Sequence, residues 1–233
     1  MSAEAQELHK RARVTGMIYL LYFLAGMPLF LRSSLIVPTD AAATAAKITA
    51  SENLYRTTIV TDLISYCLYL GLSYLFYLLL KHVSRPWAVI GTLFTVAGCI
   101  VLITATAALT IPPVLLTGNQ FTGIPMVERQ AFALLAIRFY SQAYVIGLLL
   151  FGVQWLIMGP LFAKSRVVPK AIGYLLTLGG IGWVSFATVT LAAPSFAVLI
   201  RQPVLVVGSL AELALFLWLL ICGAKPIGRQ EIA

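Results

Sequence analysis

Six long apolar segments, separated by short polar ones, constrain this chain more than any other feature of its sequence. About 20 apolar residues suffice for a helix to cross the hydrocarbon core of a bilayer. Of 233 residues, 61% are hydrophobic and 10% are charged, against about 45–50% and about 25% in soluble domains. A soluble fold of this size has no core that could hold so much apolar surface. We predict membrane spans at about 15–31, 58–80, 87–111, 138–162, 171–193 and 204–222.

The fold class that follows is all-α, a polytopic transmembrane bundle of six helices that forms one domain over residues 1–233. The alanine-rich segment 40–56 does not span, but Asp40 is a good helix N-cap, so we expect a short surface helix between the first two spans. A cleavable signal peptide is the competing interpretation of the first run, since alanines at 41–43 follow it. That run is long for a signal peptide, and Arg32 and Asp40 separate it from the alanines.

Basic residues predict the orientation. The net charge is +8, and the Lys and Arg residues sit at the ends of the apolar runs. With the N-terminus inside, ten of them fall in inner segments and six in outer ones, which favours both termini in the cytoplasm. The inner ones are Lys10, Arg11, Arg13, Lys81, Arg85, Lys164, Arg166, Lys170, Lys225 and Arg229. No basic stripe is interleaved with aromatics, so we expect membrane lipid as a partner and no nucleic acid.

The fifth predicted span carries four glycines, at 173, 179, 180 and 182. Small residues allow two helix backbones to approach closely within a membrane. We therefore predict that a neighbouring helix packs tightly against this span.

Glu212 is the most informative single residue, because it lies near the centre of the sixth span. A carboxylate there costs about 2.5–3.5 kcal/mol, so it needs a partner or a proton. In the functional interpretation, Glu212 carries a proton or contacts a ligand, and Ser209 belongs to the same site. In the structural interpretation, Glu212 makes a buried hydrogen bond that fixes helix packing. Gln142 and Gln154 in the fourth span are candidate ligand contacts and candidate hydrogen-bond partners of Glu212.

Asp62 is the second candidate, and helical spacing places it on one stripe with Tyr66 and Tyr69. The tyrosines either bond the carboxylate and line a cavity or belong to an interfacial aromatic belt. Asp62 itself either has a function or caps the helix in water. Arg138 opens the fourth span on the same side, and we predict it either as the ion-pair partner of Asp62 or as a ligand-binding residue. Its rivals are Arg56 and Arg201.

The sequence contains no motif for a metal or cofactor. The two histidines, His9 and His82, fall at the predicted inner rim, outside the spans. Cys67, Cys99 and Cys222 have no paired spacing that indicates a metal site or a disulfide framework. We therefore predict neither a metal nor a cofactor.

Nine short segments match a pattern that covers most of the chain: 41–48, 50–56, 59–63, 78–81, 146–148, 151–152, 169–173, 208–212 and 217–220. As a set they resemble a bacterial family of small six-helix membrane proteins, known as the domain of unknown function DUF4386. The resemblance implies a multi-pass protein of the bacterial cell (inner) membrane and implies no activity.

Three functional hypotheses remain open from the sequence. The first is binding or transport of a small or lipophilic ligand at a site around Glu212. The second is an integral-membrane enzyme of isomerase or cyclase type, in which Glu212 and Asp62 act as an acid/base pair on a lipophilic substrate. The third is a structural or accessory membrane subunit. The oligomeric state is not determined.

Overall fold

The computed structural model describes residues 3–165 and 167–224, and the secondary structure of these residues is helical. Three basic residues used for the orientation, Arg166, Lys225 and Arg229, lie outside the described residues. The helices are α1 Ala3–Gly26, α2 Pro28–Leu35, α3 Ala41–Ala50, α4 Glu52–Leu80, α5 Arg85–Thr106, α6 Ile111–Leu116, α7 Met126–Ser165, α8 Lys170–Ala192 and α9 Pro194–Ile221, with a 3₁₀ turn at Ala107–Thr110.

Six segments are long and apolar enough to cross a membrane: Gln6–Leu35, Glu52–Leu80, Arg85–Leu116, Met126–Ser165, Lys170–Ala192 and Pro194–Ile221. This confirms the predicted all-α fold with six spans, and the chain is a multi-pass membrane protein. The predicted orientation of the termini stays a prediction.

Two boundaries differ from those expected. The third predicted span was to end at the proline pair, but Pro112 and Pro113 instead occupy the first turn of α6, where a missing backbone N–H costs nothing. The fourth span was predicted from about residue 138, whereas α7 begins at Met126. Alanines and leucines between Met126 and Arg138 extend the helix before the strongly apolar run starts.

The predicted surface helix is α3. The side chain of Asp40 accepts a hydrogen bond of 2.8 Å from the backbone N–H of Ala43, as an N-cap does. Thr44, Ala45 and Ile48 form the buried face of this helix.

The chain divides into two compact units. Unit 1 comprises residues 1–21, 68–98 and 145–233, and unit 2 comprises residues 22–67 and 99–144. The prediction of a single domain stays a prediction. In unit 2 an apolar core joins α3 to the ends of longer helices, with Ile48, Leu109, Leu115 and Ile137 among its members.

In unit 1 two glycines of α8, Gly173 and Gly180, pack against α7. A Cβ added at Gly180 would lie 2.8 Å from the carbonyl oxygen of Gly152, and one added at Gly159 would lie 2.8 Å from that of Gly173. These distances are shorter than real Cβ contacts, so the two backbones approach as closely as glycine allows. The predicted close approach of a neighbouring helix to the fifth span is confirmed.

Candidate functional site

In unit 1 the carboxyl group of Glu212 lies against aromatic side chains, and Glu212, Tyr19 and Trp155 are called the Glu212 cluster below. The Tyr19 hydroxyl donates a hydrogen bond of 3.0 Å to Glu212 Oε2. Tyr19 is fully buried, and the rings of Phe76 and Phe216 meet its ring edge-on, at centroid distances of 5.8 and 6.2 Å. The hydroxyl is therefore held in place by the packing of its own ring.

Trp155 completes the Glu212 cluster. Its side chain is 1% exposed and packs on the ring of Phe76 at 5.7 Å. The indole N–H interacts with the Glu212 carboxylate, but not in hydrogen-bonding geometry, and it has no other acceptor among the described residues. The carboxyl group of Glu212 therefore faces two buried aromatic donors, the Tyr19 hydroxyl and the Trp155 indole N–H.

Glu212 lies on the inward-facing stripe of α9. Gly208, Ala211, Leu215 and Leu219 on that stripe are buried, whereas Glu212 is partly exposed. Within the described chain, no Lys, Arg or His side chain forms an ion pair with it.

Three predicted members of this site, Gln154, Gln142 and Ser209, are placed differently from the prediction. Gln154 is fully buried, but its amide oxygen accepts a hydrogen bond of 3.2 Å from the Tyr69 hydroxyl. The prediction that it bonds Glu212 is wrong, because Tyr69 on α4 faces it across unit 1. Gln142 belongs to unit 2 and is exposed. Ser209 is exposed, off the buried stripe that carries Glu212.

Unit 2 contains a second polar cluster, formed by Arg32, Asp62, Tyr66 and Tyr140 and called the Arg32 cluster below. Arg32 Nη1 lies 2.6 Å from Asp62 Oδ2, and the Tyr140 hydroxyl donates to the same oxygen at 3.0 Å. The hydroxyls of Tyr66 and Tyr140 are 2.8 Å apart. Arg32 and Asp62 are 2% and 3% exposed, so the ion pair is sealed from the surroundings of the protein.

The guanidinium group of Arg32 has further partners in the same place. Its Nη2 donates to the Tyr140 hydroxyl at 3.2 Å, and its centre lies 4.9 Å from the centroid of the Tyr140 ring. Nη1 also reaches the Thr58 hydroxyl at 3.4 Å. Asp62 is therefore part of a compensated ion pair and is not a helix cap in water.

The predicted partner of Asp62 is wrong. Arg138 donates to the backbone carbonyl of Pro38, Arg56 pairs with Glu52 at 2.7 Å, and Arg201 is exposed. Sequence reasoning missed Arg32 because it directly follows the first predicted span, which ends at about residue 31. An arginine inside the 30-residue span Gln6–Leu35 is itself a signal, since a charge there requires a buried partner.

Tyr66 and Tyr69 share a buried face of α4 with Asp62, as their spacing predicts. The structure divides their roles, however, because Tyr66 bonds Tyr140 in unit 2 and Tyr69 bonds Gln154 in unit 1. In the described residues no group of three His, Cys, Asp or Glu side chains is arranged to hold a metal ion.

A family model described as "Domain of unknown function (DUF4386)" matches residues 14–223, which include both clusters. No curated protein and no solved structure matches the chain.

Proposed function

The chain belongs to the DUF4386 family, whose description names no activity, and we propose from its own residues that it binds a small lipophilic ligand within the membrane. The observation that carries this proposal is the carboxyl group of Glu212, which lies within a membrane span and has no cation partner among the described residues. A carboxyl group at that depth without a cation partner is costly unless it is neutral or a ligand compensates it. The partial exposure of the Glu212 residue supports compensation by a ligand.

The surroundings of Glu212 favour a lipophilic amine or another organic cation as the ligand. The carboxylate supplies the opposite charge, and the buried rings of Tyr19 and Trp155 become aromatic contact surface once a ligand displaces the side chains packed on them. Cations bind over aromatic faces with about 0.5–2 kcal/mol, and more strongly where water is excluded. Without ligand, a proton on Glu212 makes the site neutral, so binding of the cation releases that proton. Proton exchange of this kind is the step that a small carrier would use.

A direct test is equilibrium binding of tetraphenylphosphonium, a lipophilic cation, to the purified full-length chain in detergent. Wild type is expected to bind, and Glu212→Gln is expected to weaken binding at least about tenfold, because the loss of one buried charge pair exceeds about 1.4 kcal/mol. Glu128→Gln is the matched control, since Glu128 is exposed in the first turn of α7. Equal binding by wild type and Glu212→Gln would refute the proposal.

Covalent labelling by dicyclohexylcarbodiimide gives a second readout. The reagent adds to a carboxyl group that carries a proton in apolar surroundings: the carboxyl oxygen bonds the carbodiimide carbon, and the proton moves to its nitrogen. Glu212 is expected to gain the mass of one reagent molecule, and tetraphenylphosphonium is expected to slow that gain. Asp62 should stay unlabelled, because it is almost completely buried in the Arg32 cluster, where the reagent has no access. Labelling of Asp62 instead of Glu212 would contradict the assignment.

The enzyme alternative remains a proposal of lower rank. It needs Glu212 and Asp62 on one substrate, while Asp62 is already engaged by Arg32 and Tyr140 in unit 2.

A location in the bacterial cell (inner) membrane rests on the family resemblance, and fractionation of inner from outer membranes tests it.

A further inference from the structure

A cavity of about 320 Å³ lies at the turn between α7 and α8, in unit 1, and is lined by Pro160, Ala163, Lys164, Lys170 and Tyr174. Two membrane spans end at this turn, so the cavity lies at the level where the membrane meets water. Lys164 and Lys170 are exposed. Neither forms an ion pair with a carboxylate in the part of the chain that the structure describes.

Away from the cavity, the exposed surface of α8 changes from charged to apolar. Below Lys170, at helical spacing, follow Tyr174, Leu178 and Ile181, which are 65%, 52% and 50% exposed. Residues four and seven positions apart share a face of a helix. A cationic rim therefore continues into an exposed apolar stripe that points along the span.

We propose that this cavity binds an anionic phospholipid, with the phosphate between Lys164 and Lys170 and an acyl chain along Tyr174, Leu178 and Ile181. Ammonium groups form charge-assisted hydrogen bonds with phosphate oxygens, and basic pockets at the ends of membrane helices bind anionic headgroups. The volume is near the lower end of the roughly 300–1,000 Å³ typical of ligand pockets, which suits a headgroup. A free phosphate ester would use the lysines but not the apolar stripe.

The test uses the full-length chain in nanodiscs that contain phosphatidylcholine and phosphatidylglycerol, with retained lipid measured by native mass spectrometry. Wild type is expected to retain phosphatidylglycerol preferentially. The double variant Lys164→Gln/Lys170→Gln is expected to reduce that preference about 30-fold, which corresponds to about 1 kcal/mol per lysine. Tyr174→Ala leaves the charge unchanged and is expected to lower retention several-fold, because it removes one wall of the cavity.

Two controls separate the cavity from general attraction to the membrane surface. Lys81→Gln/Arg85→Gln removes the same charge at another exposed turn of unit 1 and is expected to leave retention unchanged. If it lowers retention as much as the Lys164/Lys170 variant, or if Tyr174→Ala has no effect, the lipid site is refuted. Glycerol 3-phosphate should fail to displace the lipid at equal concentration. Displacement would show that the cavity recognises a phosphate ester without any contribution from an acyl chain, which contradicts a phospholipid site.

Discussion

Arg32 and Asp62 place two full charges where each is almost completely buried. Removing water from an ion costs several kcal/mol, and an ion pair offsets this cost only if the two charges are in close contact and make further hydrogen bonds. Both conditions hold, since the contact is 2.6 Å and the Tyr140 hydroxyl bonds both partners. The stability of unit 2 therefore depends on the two charges being present together.

We predict that Arg32→Ala and Asp62→Ala each lower the free energy of unfolding by about 3–5 kcal/mol, because each leaves an uncompensated buried charge. The double replacement Arg32→Met/Asp62→Leu should cost clearly less than the sum of the two. Unfolding of the purified protein in mixed detergent micelles measures these differences. Strict additivity of the two single replacements would contradict the coupling.

The exposed pair Glu52–Arg56 on α4 offers a matched control. Its side chains are 28% and 50% exposed, and its contact of 2.7 Å resembles that of the buried pair. Arg56→Ala should nevertheless change stability little, because water screens this pair. Contact distance alone thus does not decide the contribution of an ion pair.

At the scale of helices, the contact between α7 and α8 depends on missing side chains. Gly152 and Gly159 on α7 meet Gly180 and Gly173 on α8 with backbone against backbone. Close approach increases van der Waals contact, which membrane helices need because lipid tails are as apolar as their own side chains.

We predict that Gly180→Ala lowers the free energy of unfolding by about 1–3 kcal/mol, because the new methyl group forces α7 and α8 apart. Gly71→Ala is the control within a span, since a Cβ there has no atom within 4 Å, and it should be neutral or stabilise α4 by up to about 1 kcal/mol. Thermal unfolding of both variants measures the difference. Equal effects would show that helix propensity, and not packing, governs both sites.

At the scale of the whole molecule, the distribution of basic residues predicts both termini in the cytoplasm, with ten Lys and Arg residues inside and six outside. The turn that holds His82 then lies inside, and the segment that holds Asn119 lies outside. Both residues are exposed, so single cysteines at these positions report the side directly.

In a chain whose own cysteines are replaced by serine, Asn119→Cys is expected to react with a membrane-impermeant maleimide on intact cells. His82→Cys should react only after the membrane is permeabilised. The opposite pattern would mean that the orientation is reversed. The excess of Lys and Arg residues in the predicted inner segments would then not determine the orientation of this chain.

The sequence by itself determined the six spans and the surface helix at Asp40. It also singled out Glu212 and Asp62 as carboxylates that need a partner within the membrane. These follow from local chemistry, since the hydropathy of about 20 consecutive residues decides whether a segment crosses the bilayer, and a carboxylate among them signals a buried partner. Only the tertiary structure decided which side chains are the partners of these two carboxylates. Arg32 and Asp62 are 30 positions apart, and Tyr19 and Glu212 are 193 apart.

No periodicity within one helix encodes such pairings, because they arise from the way different helices face one another. The predictions of Arg138 for Asp62 and of Gln154 for Glu212 chose residues of suitable type and depth. The helix faces instead present Arg32 to Asp62 and Tyr19 to Glu212. The sequence therefore indicates the residue type and the depth of a partner. The packing of the helices decides which of several suitable residues makes the contact.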